Sequence, residues 1–163
     1  MMQPFRISQV IAATLGAVVG VSALAYAAAQ GSGLMLLGSF GASALLLFAL
    51  PEAPLSQPRN VVWGHLSASV IAVACLALFG GQWWAMGLAT GLAVGFMMLT
   101  HTVHPPAGSN AIIVFLAQPG WAPLIGSTLA GTVALVAIAV VYHRTTGRHR
   151  YPLYWHRLPA AGR

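Results

Sequence analysis

A chain of 163 residues that is 58% hydrophobic and only 5% charged cannot coat a water-soluble globule, because soluble domains carry about 25% charged residues. Its net charge of +6 does not describe a nucleic-acid surface: lysine is absent, and five of the seven arginines (Arg144, Arg148, Arg150, Arg157 and Arg163) fall after residue 143. A basic tail beside a membrane span is the pattern of a cytoplasmic anchor on anionic lipid headgroups.

Six apolar segments succeed one another, at about 7–29, 33–50, 61–79, 83–100, 105–117 and 122–142. They are separated by "QGSG", "PEAPLSQPRN", "GGQ", "HTVHPP" and "QPGW", all turn or breaker chemistry. Backbone polar groups in lipid must be paired internally, so the segments are expected to be helices. None shows the period-two alternation of a membrane barrel.

The first segment starts after Arg6 and ends in "ALAYAAAQ", which imitates a signal peptide with its small-residue cleavage site. The run is long enough to span, at about 20 residues per crossing, and is expected to be retained. Its Gly16 and Gly20 form a GxxxG pair, a close-packing device between helices in lipid. The second segment is weakened within "LLGSFGAS" by Gly38 and Gly41, beside Ser39, Phe40 and Ser43. The loop "PEAPLSQPRN" holds Glu52, the only acid, and Arg59. Either the two close the loop as an ion pair, or Arg59 recruits anions at the inner mouth. His65 lies about one turn into the third segment, which also carries Cys75, the only cysteine and expected in the core. Gly91 and Gly95 repeat the GxxxG spacing in the fourth.

Next comes "THTVHPPAGSNAIIVF", Thr100 to Phe115. A residue preceding proline is pushed out of helical geometry; His104 and Pro105 each precede one, so the chain must enter this region extended, between His101 and the helix. A helix can begin only near Pro106 or Ala107, just after Pro105. What remains to Ala117 is a half-length helix opening on Gly108, Ser109 and Asn110. The sixth segment leads into the tail, where His143, His149 and His156 are expected at headgroup level or in solvent.

With both ends inside, every arginine lies on the cytoplasmic side, as the positive-inside rule requires, and Trp83, Trp84 and Trp121 fall at the outer interface. A four-span reading that merges the short segments also keeps both ends inside and stays open. The chain further repeats itself. "GASALLLF" (Gly41–Phe48) lies over "GSNAIIVF" (Gly108–Phe115) at a spacing of 67, and Gly64 meets Gly131 at the same spacing. "LGAVVGV" resembles "TGLAVGF" upstream. Three crossings per unit invert the second unit, an architecture of transporters with a midplane site. The expected fold is therefore an all-α polytopic membrane protein of two inverted three-segment repeats, broken at the second and fifth segments. Residues 1–143 would form the membrane domain and 144–163 the basic tail.

Two half-helix N-termini would then face one another at membrane depth. Each presents about half a positive charge and unpaired N–H donors, which suits a small monovalent anion. Gly38, Ser39, Phe40, Gly41, Ser43, Arg59, His65, His101, His104, Pro105, Pro106, Gly108, Ser109 and Asn110 are the candidate substrate or pore residues. Intramembrane histidines are costly and usually functional. No acid stands beside a histidine in a span, so hydrolase chemistry is not expected, and neither is a cofactor. Two other readings remain: a metal or haem protein using His65, His101 and His104, and a non-transporting assembly or sensor subunit.

The blocks "GSFGASALLLFALPEAPLSQPRNVVWGHL" and "HTVHPPAGSNAI" resemble the HPP family of integral membrane proteins, named for His-Pro-Pro, here His104, Pro105 and Pro106. The resemblance covers roughly residues 7–142. It extends to Gly38–Ser43 and to Pro58, Arg59, Asn60, Gly64 and His65, while Asn110 stands where alanine is expected. That family is usually described with four spans, against six segments here. Some members look like nitrite transporters, so the resemblance implies nitrite as substrate; formate, nitrate and chloride are not ranked against it by side chains. The chain is expected in a bacterial inner membrane as a cyclic homo-oligomer such as a trimer.

Overall fold

The computed structural model describes residues 5–155. Among them are six helices: α1 (Ile7–Ala29), α2 (Ser39–Ala49), α3 (Pro58–Phe79), α4 (Trp83–Leu99), α5 (Pro105–Ala117) and α6 (Trp121–Thr146), with a 3-10 turn at Pro54–Ser56. The described residues contain no strand. Three helices (α1, α3 and α6) are long and apolar enough to cross a membrane, while α2, α4 and α5 are shorter apolar helices. At 1.5 Å per residue, α2 and α5 reach about 16–20 Å, roughly half to two-thirds of a bilayer's hydrocarbon.

The helices pack as α1 on α2 and α6, α3 on α4, α5 and α6, α4 on α5, and α2 on α5 and α6. Exchanging α1 with α4, α2 with α5 and α3 with α6 turns this set of pairs into itself, which is the adjacency of a two-fold repeat. The directions agree with inversion. α1 and α3 start at the end where Arg148 reaches the Ser8 carbonyl and Arg59 the His101 carbonyl. α4 and α6 finish there. At the opposite end Gly81 lies against Gln118, with Trp83 and Trp121 exposed at the helix starts.

Four sequence expectations change. The second segment is not helical from residue 33: helix begins only at Ser39. Ser127 of α6 holds the preceding stretch by accepting from the Met35 N–H (2.8 Å) and donating to the Gly33 carbonyl (3.3 Å). The two GxxxG pairs also differ. Gly16 and Gly20 are buried against Phe48, and Gly20 also against Leu135. A side chain at Gly91 or Gly95 would meet nothing, because α4 turns Ala85, Ala89, Ala93 and Met97 inward instead.

The other two changes concern the tail. His143 is not at headgroup level; it is buried on α6, its Nε2–H donating to the Leu47 carbonyl at 2.9 Å. Glu52 pairs with His149 (3.3 Å) and not with Arg59. The chain after Gly147 folds back beneath the helices. Tyr151 is buried and donates its hydroxyl to the Ser56 carbonyl, and burial lifts its phenol pKa above the ordinary value, so the donor is retained. His156, Arg157 and Arg163 lie outside the described residues.

Candidate functional site

The loop before α3 and the link before α5 lock together. Arg59, at the second residue of α3, donates to the carbonyls of Thr100 (2.7 Å) and His101 (2.8 Å), and Asn60 donates to that of Val103 (2.9 Å). α4 ends in a Schellman motif: the Thr102 N–H bonds the Met97 carbonyl and the His101 N–H that of Met98. His101 sits in its left-handed position at φ +54. Gly64 of α3 completes the fit, since a Cβ there would stand 3.0 Å from His104 Cβ and 3.1 Å from the Thr102 carbonyl. His104 is thereby fixed as the N-cap of α5, in extended geometry.

Ser43, one turn into α2, receives both imidazoles. Its Oγ lies 2.8 Å from His65 Nε2 and 2.9 Å from His104 Nε2, and 3.1 Å from the Ser39 carbonyl. The starts of the two short helices therefore meet through a side-chain contact, with the ring of Phe40 edge-on to His65 at 5.7 Å between centroids. On their far sides, His104 Nδ1 lies 2.7 Å from the Leu55 carbonyl and His65 Nδ1 lies 3.3 Å from Asn110 Oδ1. Asn110 donates to Ser69 Oγ (2.8 Å) and the His65 carbonyl (3.3 Å), and Ser69 reaches Thr128 Oγ1 at 3.1 Å. All of these side chains are buried.

The helix ends offer fewer free donors than the sequence suggests. In α5, Pro105 and Pro106 have no N–H, and that of Ala107 bonds the His104 carbonyl. In α2, the N–H groups of Phe40 and Gly41 bond the carbonyls of Leu37 and Gly38. What α2 keeps free is the Ser39 hydroxyl, 2% exposed and without a hydrogen-bond partner. Open space adjoins that turn: nothing stands within 4 Å of where a Cβ would lie on Gly38 or Gly41. A crevice of about 610 Å³ reaches Gly41 from the basic end, where Arg148 and His149 line it. His143 lines it too, and its Nδ1 is the other buried unpartnered polar atom among the described side chains.

Of the sequence candidates, the structure brings together Ser39, Phe40, Ser43, His65, His104 and Asn110. It sets Arg59 and His101 apart as the clamp and cap of the link. Ser109 turns its hydroxyl to the Pro106 carbonyl. His101 is exposed and does not join His65 and His104, and the described residues hold no group of three or more His, Cys, Asp or Glu side chains placed for a metal. Sequence reasoning missed Ser69, Thr128 and the Leu55 carbonyl. Only the four-residue spacing from His65 to Ser69 pointed to any of them.

These features define a polytopic helical membrane protein whose paired broken helices meet at a buried histidine–serine cluster. The family model described as "HPP, transmembrane region" matches residues 2–152, and the chain belongs to that family. It is also similar to two transmembrane proteins of Dictyostelium discoideum. One is 36% identical over 129 residues, covering 74% of this chain and 45% of the relative. The other is 35% identical over 130 residues, covering 75% and 42%. The match thus takes in less than half the length of each relative. No solved structure matches.

Proposed function

We propose that this chain carries a small monovalent anion, nitrite first among them, across the membrane, and that the anion rests at the first turn of α2. The observation that carries this reading is the Ser39 hydroxyl, buried, unpartnered and placed at a helix start. A buried donor without a partner is costly, and the electropositive end of a helix favours negative charge. The crevice from Arg148 and His149 ends at Gly41, on the same turn of α2 as Ser39 but not lined by it, so the reading adds a path around that turn to the hydroxyl. The family resemblance supports nitrite; Ser39 alone would also serve nitrate, formate or chloride.

The same reading puts the arginine-rich end in the cytoplasm of a bacterial inner membrane. It gives each protomer of a homo-oligomer its own pathway and assigns the chain no enzymatic activity.

Flux into liposomes holding the purified protein, with nitrite, nitrate, formate and chloride compared, tests it. Selective nitrite uptake is expected, and Ser39→Ala should slow it on the order of tenfold, the loss of one buried hydrogen bond to an ion. No selective flux of any of the four removes the reading.

A further inference from the structure

The hydrogens of the buried cluster do not add up at neutral charge. A carbonyl only accepts, so the 2.7 Å contact with Leu55 requires a hydrogen on His104 Nδ1. Asn110 turns its amide NH₂ toward the His65 carbonyl and Ser69, which leaves Oδ1 facing His65 Nδ1 at 3.3 Å, a contact that a hydrogen on Nδ1 would complete. A neutral imidazole carries one N–H, so His65 can serve Asn110 or Ser43 but not both: on Nε2 the hydrogen completes the serine bridge and leaves Nδ1 bare against Asn110 Oδ1, and on Nδ1 it leaves both Nε2 atoms bare. Both point at Ser43 Oγ, at 2.8 and 2.9 Å. The serine hydroxyl has a single hydrogen, and the Ser39 carbonyl at 3.1 Å competes for it. In the second arrangement one Nε2 is left with its lone pair against an oxygen lone pair, so either neutral arrangement leaves one contact of the cluster unpaired.

One added proton resolves this. On either Nε2 it makes that ring a donor to Ser43 Oγ, which then donates its own hydrogen to the other ring. Shifting two hydrogens along Nε2–H···Oγ–H···Nε2 moves the charge from one ring to the other with no heavy atom displaced. We propose that His65, Ser43 and His104 form a one-proton site, a hydroxyl-bridged imidazole pair that is loaded when an anion lodges beside Ser39 and unloaded when it leaves.

The surroundings explain why loading needs the anion. The chain has one acid, Glu52, and it is engaged with His149 at the basic end. Neither α2, α4, α5 nor the 3-10 turn carries a titratable side chain. α1 offers Tyr26, α3 Arg59 and Cys75, the link His101, and α6 Tyr142, His143 and Arg144. None of these bonds to the three residues. A buried imidazolium with no fixed counter-ion is heavily penalised, so a mobile anion must supply the opposite charge. The carbonyl shared by Ser39 and Ser43 joins anion turn and proton site. The inference rests on the anion-carrying reading and adds that the cargo is an anion plus one proton.

Anion binding to the purified full chain in detergent, measured by calorimetry across pH 6–8, tests it. Nitrite and nitrate should each tighten about tenfold per unit fall in pH, the linkage of one co-bound proton. Ser43→Ala should flatten that dependence, and Ser43→Thr, which keeps the hydroxyl, should restore it. Nitrogen-15 spectra of histidine-labelled protein then locate the proton: two neutral rings in the free protein, and one added proton shared between them in the complex. Binding that ignores pH, or two neutral rings persisting in the complex, overturns the proton site while leaving anion binding intact. If neither those two anions nor formate and chloride, titrated in the same way, bind, the anion reading falls. In that case two rings that protonate independently, indifferent to Ser43→Ala, would overturn the proton site as well.

Discussion

Gly131 decides where α2 can start. A Cβ there would stand 2.5 Å from Cε2 and Cζ of Phe40, a ring fully buried beside His65. Gly131→Ala therefore forces the ring or the helix to move, and overpacking of this kind costs about 1–3 kcal/mol. Cys75 gives a convenient measurement, because its buried thiol reacts with a maleimide dye only as the chain opens. The variant should expose Cys75 at a lower temperature than wild type, and Phe40→Leu in the same chain should recover part of the loss. Gly91→Ala, with nothing within 4 Å, should leave the melting temperature unchanged. Equal losses for the two alanines would mean that α4 is packed differently. The sequence marks all these glycines alike; which of them touches a neighbour depends on how far each helix is rotated, and a GxxxG spacing does not carry that.

Two elements of similar length differ in how plainly the chain announces them. α5 is encoded locally: consecutive prolines cannot continue a helix but open one well, and its ends match the apolar segment 105–117, although it opens on Pro105 itself, just ahead of the start that the Pro-Pro pair predicts. α2 is not. "LMLL" before Gly38 is as helix-prone as the residues after Gly41, and beyond a local bond from the Leu34 N–H to Ser32 Oγ it is Ser127, more than 90 residues away, that ties the stretch down. The link between α4 and α5 shows the same division. His-Pro-Pro sets its exit, while its entry depends on Arg59 and on His101 at φ +54. His101→Gly should be tolerated or mildly stabilising, because glycine adopts that conformation freely, whereas His101→Val should cost about 1 kcal/mol or more. Arg59→Gln withdraws two charge-assisted bonds, each worth about 1.5–3 kcal/mol, and should lower the Cys75 exposure temperature further than either. Were His101 a pore residue, His101→Gly would instead abolish anion flux at unchanged stability.

The two halves share a scaffold but not their chemistry. Asn60 and Ser127 are 67 residues apart, and each ties the non-helical stretch ahead of a short helix to a long one, Asn60 at Val103 and Ser127 at Gly33 and Met35. Gly64 and Gly131, at the same spacing, admit the starts of α5 and α2. Yet the counterparts of His65, His104 and Ser69 at that spacing are Thr132, Leu37 and Val136, so the imidazole pair exists once. Symmetry thus holds both broken helices, and the departure from symmetry makes the site. The repeat was legible in the sequence, but the contact between Ser43 and two histidines 22 and 61 residues away required the fold. Asn60→Ala and Ser127→Ala should each lower stability by about 1–2 kcal/mol, the price of an unpaired partner, as read from Cys75 exposure. Only Asn60→Ala loosens the link that carries His104. It alone should weaken the pH dependence of anion binding, while Ser127→Ala keeps the wild-type slope. If Ser127→Ala flattened the slope as fully as Asn60→Ala, the proton site would belong to both halves and their chemical asymmetry would not hold.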